Sequence, residues 1–134
     1  MAIAVYGGVL AQAQPAADAS SRTRAFDRIF DQGMKNLLAG LRSENRGLTE
    51  SAMMQVAKIK ILYPGANVAE TKNVIDSLSI HATIPSVRYK AYLASNVCDN
   101  PTWFAKRSNI EYENEFFESV AAQLQERILG SRTN

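Results

Sequence analysis

The sequence contains few of the residues that most often build covalent or metal-bound sites: it has one cysteine, one histidine and one tryptophan in 134 residues. Because Cys98 is alone, the chain cannot form an internal disulfide, which excludes a disulfide-stapled fold. Because His81 is the only histidine, a metal site built from several histidines of one chain is excluded. No CxxC or HExxH spacing occurs. The sequence therefore predicts no metal and no cofactor.

The chain also has little excess of either positive or negative charge. The chain carries 15 Lys and Arg against 13 Asp and Glu, for a net charge of +2. Arg22, Arg24 and Arg28 lie close together, but aspartates at positions 18, 27 and 31 are interspersed with them. A nucleic-acid-binding surface needs a clustered basic face. We therefore expect no nucleic-acid partner.

Motifs that carry chemistry are missing as well. The sequence has no P-loop, no GxGxxG, no GxSxG and no EF-hand loop. His81 falls in a turn between predicted helices, with no acid or nucleophile at a recognisable spacing, so we expect an ordinary surface histidine. Glu111, Glu115 and Glu118 share one helix face without a histidine beside them, which is typical of a solvated surface. The sequence therefore predicts a protein that is not an enzyme.

The first 17 residues contain no charged side chain. An apolar run from Ile3 to Leu10 is followed by Ala11-Gln12-Ala13, and small residues at these two places are typical of a signal-peptide cleavage site. A basic start, which such peptides usually have, is missing. We therefore expect export, to the bacterial periplasm, with a flexible N-terminal extension of a cytoplasmic protein as the alternative. The apolar run is too short to span a bilayer.

Composition and periodicity predict a single all-α domain. Hydrophobic residues make up 46% of the chain and charged residues 21%, which is ordinary for a globular domain. Apolar residues recur at helical spacing in five successive segments, and no strand pattern occurs. We predict a signal-like segment and linker over 1–21, the domain over 22–130 and a tail over 131–134. The predicted helices are 23–41, 48–63, 68–79, 85–98 and 110–129, the last of them capped by Gly130.

Two stretches of the sequence, residues 37–64 and 74–101, look like copies of one unit. Each has a short apolar helix end, a polar turn, and an amphipathic helix that stops at a proline. The helix ends are Leu37-Leu38-x-x-Leu41 and Val74-Ile75-x-x-Leu78. The second helices begin Leu48-x-x-x-Ala52 and Val87-Arg88-x-x-Ala91.

These segments resemble HEAT-like repeats. The resemblance implies two antiparallel helix pairs, with the last helix as a cap, and an irregular five-helix bundle is the alternative. It also implies that Asp76, before the turn, interacts with Arg88 in the following helix. The first pair has Ala39 and Thr49 at these places, so no polar ladder is implied.

Stacked helix pairs mostly present surfaces, so we expect a non-catalytic scaffold or accessory subunit that binds another protein. The candidate partner-binding residues are the aromatic side chains Tyr89, Tyr92, Trp103 and Phe104, which would anchor a partner if they face outward together. The alternative is that they fill the core. Two other functions stay open, namely a small-molecule-binding bundle lined by Tyr89, Tyr92 and Trp103, and self-association. Cys98 is expected to be a buried thiol.

Overall fold

The computed structural model describes residues 15–107 and 112–133, and it confirms the all-α fold of five helices. Within these ranges there is no strand. A short 3-10 helix, Pro101–Arg107, precedes the last α-helix. The α-helices are α1 Pro15–Leu41, α2 Arg46–Leu62, α3 Ala69–His81, α4 Pro85–Asp99 and α5 Glu113–Thr133.

The chain divides into two compact units, residues 1–33 and 34–134. The first unit contains the start of α1, which begins at Pro15 rather than at Thr23. The prediction of a linker up to Ser21 is therefore wrong for residues 15–21. Proline at the first helical position lacks only an N–H that the helix would not use, and the alanines after it favour helix. The predicted signal-like run at 3–13 lies outside the described residues.

The second unit is built around α4. This helix packs against α3 on one side and α2 on another, and α5 and the 3-10 helix also contact it. Both α2 and α4 carry several fully buried side chains. Helix α5 closes the core with Phe116 and Val120, which are both fully buried. The core lies mainly among α2, α4, α5 and the 3-10 helix.

The turn from α1 to α2 shows why these two helices meet closely. A Cβ at Gly40 would lie 3.1 Å from the Cβ of Ala52, so glycine allows the approach. The Asn45 side chain caps α2 by accepting a hydrogen bond from the Leu48 N–H at 3.1 Å. The Thr49 hydroxyl donates to the Ser43 carbonyl in the turn at 3.0 Å, and it lies 3.3 Å from the Gly40 carbonyl in the last turn of α1.

Two helix ends differ from the prediction. His81 is the last residue of α3 rather than part of a turn. Gly130 lies inside α5, which continues to Thr133, so it is not the predicted cap. A glycine within a helix costs only about 1 kcal/mol relative to alanine, so its presence alone does not end a helix. The predicted start of this helix at Ile110 lies outside the described residues.

Candidate partner-binding face

The four predicted partner-binding residues separate into two kinds. Tyr89 and Tyr92 are 56% and 47% exposed, and they lie three residues apart on α4, on one side of that helix. Phe104 is fully buried in the core, so its prediction as a partner-binding residue is wrong. Trp103 is partly buried, and the Arg127 guanidinium lies 5.0 Å from the centre of its ring. The structure therefore leaves a tyrosine pair on α4 as the exposed part of the predicted set.

Tyr89 also borders an open groove between α4 and α5. The groove has a volume of about 220 Å³. The buried ring of Phe117 and the side chain of Ala121 form its apolar part. Asn114 and Glu118 supply a polar edge. We call Tyr89, Tyr92 and this groove the α4 face. It combines aromatic rings, an apolar floor and a polar edge, as protein-binding surfaces do.

A charge network fixes the position of the α4 face. The Lys90 ammonium, on α4, lies 2.8 Å from Glu50 Oε2 on α2 and 3.0 Å from Glu113 Oε1 on α5. It also donates to Asn114 Oδ1 at 3.2 Å and lies 5.6 Å from the centre of the Phe117 ring. One side chain thus ties three helices together beside Tyr89.

Glu50 is the buried centre of this network. Its Oε1 accepts hydrogen bonds from Arg46 Nε at 2.9 Å and from the Ser86 hydroxyl at 3.0 Å. Burial opposes ionisation of Glu50, but the hydrogen bonds from Lys90 and Arg46 outweigh it and lower its pKa from 4.5 to about 2. Burial likewise opposes the charge on Lys90, while hydrogen bonds to Glu50 and Glu113 raise its pKa above the usual value.

The network has the properties of a structural element rather than of a reactive site. Among the described residues, every buried side-chain nitrogen or oxygen has a hydrogen-bond partner. A carboxylate that is held charged by an ammonium and a guanidinium stays ionised near neutral pH, so it is not placed to act as a proton donor there. Sequence reasoning missed the network because its members are far apart: Glu50 and Lys90 are separated by 40 positions along the chain.

A second open groove lies on the edge that carries the turns between helices. It has a volume of about 300 Å³. Its apolar lining comes from the ends of α1 and α3 and the start of α4, and its polar lining comes mainly from the turn after α1. The lining residues are Leu41, Ser43, Glu44, Arg46, Thr49, Leu78, Ala82, Thr83, Ile84 and Val87. This groove could not be predicted from the sequence, because its lining comes from two separate segments, residues 41–49 and 78–87.

The interaction implied between Asp76 and Arg88 is not formed. Asp76 instead accepts hydrogen bonds from Lys72 at 2.8 Å and from the Ser95 hydroxyl at 2.6 Å. Arg88 donates to the Ala82 carbonyl at 2.9 Å, across the turn between α3 and α4. Burial opposes ionisation of Asp76, but the hydrogen bonds from Lys72 and Ser95 lower its pKa. The pair α3–α4 is thus joined by Asp76–Ser95 in place of the expected contact.

The other residues that the sequence singled out form no reactive group. Cys98 is buried as predicted, and burial raises the pKa of its thiol to about 11. His81 is exposed at the end of α3. Glu115 and Glu118 are exposed on α5, while Glu111 lies outside the described residues. In the described ranges, no cluster of three or more His, Cys, Asp and Glu side chains is placed to hold a metal ion.

No described helix combines the length and apolar character needed to cross a membrane. Comparisons of this chain with protein-family models, with curated proteins and with solved structures give no match.

Proposed function

We propose that this protein is a non-catalytic protein-binding module, a scaffold or accessory subunit, and that it holds its partner on the α4 face. The observation that carries the proposal is the pair of half-exposed tyrosines, Tyr89 and Tyr92, beside an open groove with an apolar floor. Tyrosine is enriched at the energetic centres of interfaces because it buries a large ring and keeps a hydroxyl for hydrogen bonding. The arrangement suits a protein partner.

The Lys90 network supports this proposal because it makes the surface rigid. Helices α4 and α5 form the two sides of the groove, and Lys90 on α4 bridges them through its ion pair with Glu113. Glu50 on α2 forms a second ion pair with the same ammonium. A surface that is already ordered loses less conformational entropy when it binds. The HEAT-like pairing of α1 with α2 and of α3 with α4 stays part of the proposal. It is supported by the packing of α2 against α4, the second helices of the two pairs.

The test is affinity capture of partners from the cells that express the protein, followed by a direct binding measurement. The double variant Tyr89→Ala/Tyr92→Ala is compared with Tyr63→Ala, since Tyr63 is 58% exposed at the end of α2 and is equally aromatic. We expect the double variant to lower the affinity by at least about 30-fold, because the loss of even one interface anchor costs about 2 kcal/mol or more. Equal binding by both variants would contradict the proposal.

The groove at the turn edge favours a second candidate function, binding of a small molecule. Its volume of about 300 Å³ is at the lower end of the range for ligand sites, and its lining combines apolar side chains with polar ones that include Glu44 and Arg46. Native mass spectrometry of the protein purified from its own cells tests this candidate. A bound small molecule that is lost in Ile84→Trp, which fills the groove, would favour it over the first proposal.

We also propose that the protein is exported. The support is the apolar run from Ile3 to Leu10 followed by the small residues Ala11 and Ala13. The intact mass of the protein recovered from cells tests this directly. Export with cleavage predicts a chain that begins at Gln14, and a full-length chain would contradict it.

A further inference from the structure

The first compact unit carries an apolar face that the α4 proposal does not use. On α1, the side chains of Phe26 and Ile29 are 57% and 73% exposed. The rings of Phe26 and Phe30 stack one turn apart, with centroids 6.3 Å from each other and planes 20° apart. Large apolar side chains that lie together on one helix face usually mark an interaction surface.

Phe26 and Phe30 stand four residues apart, which is the spacing between position d and the following position a in a coiled-coil seam. In a seven-residue repeat labelled a to g, Thr23 and Phe30 occupy position a, and Phe26 and Gly33 occupy position d. The charged residues Arg24, Arg28 and Asp31 fall on the opposite side and are exposed. The face is therefore an apolar strip made by Phe26 and Phe30, with Ile29 beside it at position g, and charged side chains lie on the other side of the helix.

Two charges border the seam in complementary positions. Arg22 occupies position g and Asp27 occupies position e of the next repeat. Neither forms an ion pair with any other described residue. In a parallel pair of helices, position g of one chain lies beside the following position e of the other. In an antiparallel pair, g meets g and e meets e, so Arg22 and Asp27 would not meet.

We propose that residues 22–33 pair in parallel with the same residues of a second copy of the chain. Phe26 and Phe30 of both copies form the seam, and Arg22 of each copy pairs with Asp27 of the other. The seam ends at Gly33, which has no side chain to pack, and the second compact unit begins at the next residue. With fewer than two full repeats in the seam, the association is weak and depends on concentration.

The test is sedimentation equilibrium of the full chain over concentrations from about 1 μM to about 1 mM, the range in which weak assemblies dissociate. The variants Arg22→Asp and Asp27→Arg each place like charges together in both symmetric pairs. We expect each to raise the dimer dissociation constant roughly tenfold, from the size of exposed ion-pair energies. The double variant Arg22→Asp/Asp27→Arg restores opposite charges, and we expect its dissociation constant to return close to that of the wild type.

The matched control is Arg24→Asp, which changes the charge by the same amount on the opposite side of α1 and should leave the dimer unchanged. A wild-type chain that stays monomeric at the highest concentration would overturn the proposal. So would a dimer that the single variants do not weaken, or one that the double variant fails to restore. Tyr89 and Tyr92 lie outside this segment, so failure here is distinguishable from failure of the α4 proposal.

Discussion

Among single residues, Glu50 is the centre of the charge network that joins α2 to α4. It is a buried carboxylate that receives hydrogen bonds from Lys90, Arg46 and Ser86. In Glu50→Gln the Lys90 ammonium, itself mostly buried, loses its negatively charged partner on α2 and keeps Glu113 as its ion-pair partner on α5. We expect a loss of about 3 kcal/mol in the free energy of unfolding, the usual cost of breaking a buried ion pair from one side. Urea denaturation of the wild type and the variant measures this change in the free energy of unfolding.

The control for this variant is Arg46→Ala. Arg46 bonds the same carboxylate, but its side chain is 56% exposed. Exposed ion pairs contribute at most about 1 kcal/mol, so Arg46→Ala should cost much less than Glu50→Gln. Equal losses in the two variants would show that the buried ammonium does not control the energy of the network.

The pH dependence of stability follows from the same residue. The pKa of Glu50 is about 2 in the folded protein and 4.5 for the unperturbed group. Its stabilising effect is therefore complete above about pH 4.5 and is lost as the pH falls toward 2. We expect thermal unfolding of the wild type to shift downward steeply between about pH 5 and pH 2, and that of Glu50→Gln to shift less. Parallel curves for the two proteins would contradict this assignment.

The reactivity of Cys98 tests whether the core around α4 is closed to solvent. The side chain is buried in α4, and burial raises the pKa of its thiol to about 11. Because the thiolate is the reactive form, we expect a thiol-specific reagent to modify native protein far more slowly than protein unfolded in urea. Equal rates in the two states would show that this part of α4 is open.

At the scale of elements, two glycines in α1 are a matched pair. Gly33 has no atom within 4 Å of the place where a Cβ would stand, whereas a Cβ at Gly40 would lie 3.1 Å from Ala52 Cβ. Alanine favours a helix over glycine by about 1 kcal/mol, so Gly33→Ala should raise the helix content or stability. Gly40→Ala should raise stability by less, or lower it, because α2 must move to make room for the new methyl group. Circular dichroism during thermal unfolding compares them, and a larger gain at Gly40 would contradict the close packing of α1 on α2.

The helices also show which structural features the spacing of apolar residues can predict. The apolar spacing within each segment predicted all five helices, since a helix is a local structure whose buried side repeats every three or four residues. Pro85 was correctly placed at the start of α4. The ends at Ser21 and Gly130 were wrong because propensities near a helix end differ by only about 1 kcal/mol. Contacts with the rest of the protein can outweigh differences of that size, so the local sequence alone does not determine where a helix ends.

At the scale of the whole molecule, the candidate site could be predicted only in part. Tyr89 and Tyr92 were named from their residue type, but the sequence could not separate them from Phe104, because burial depends on how the 3-10 helix meets the core. The grooves and the Glu50–Lys90 pair join segments that are distant in the chain. Such pairings follow from packing, which no pattern within one segment records.

A protein partner bound on the α4 face would lie within reach of a crosslinker at position 89, so site-specific photocrosslinking in living cells is the decisive experiment. A benzophenone amino acid replaces Tyr89 in one variant and the equally exposed Tyr63 in the other. We expect one discrete adduct of higher mass from position 89, absent from position 63 and lost when Tyr92 is also changed to alanine. No adduct at position 89, or the same adducts from both positions, would contradict it.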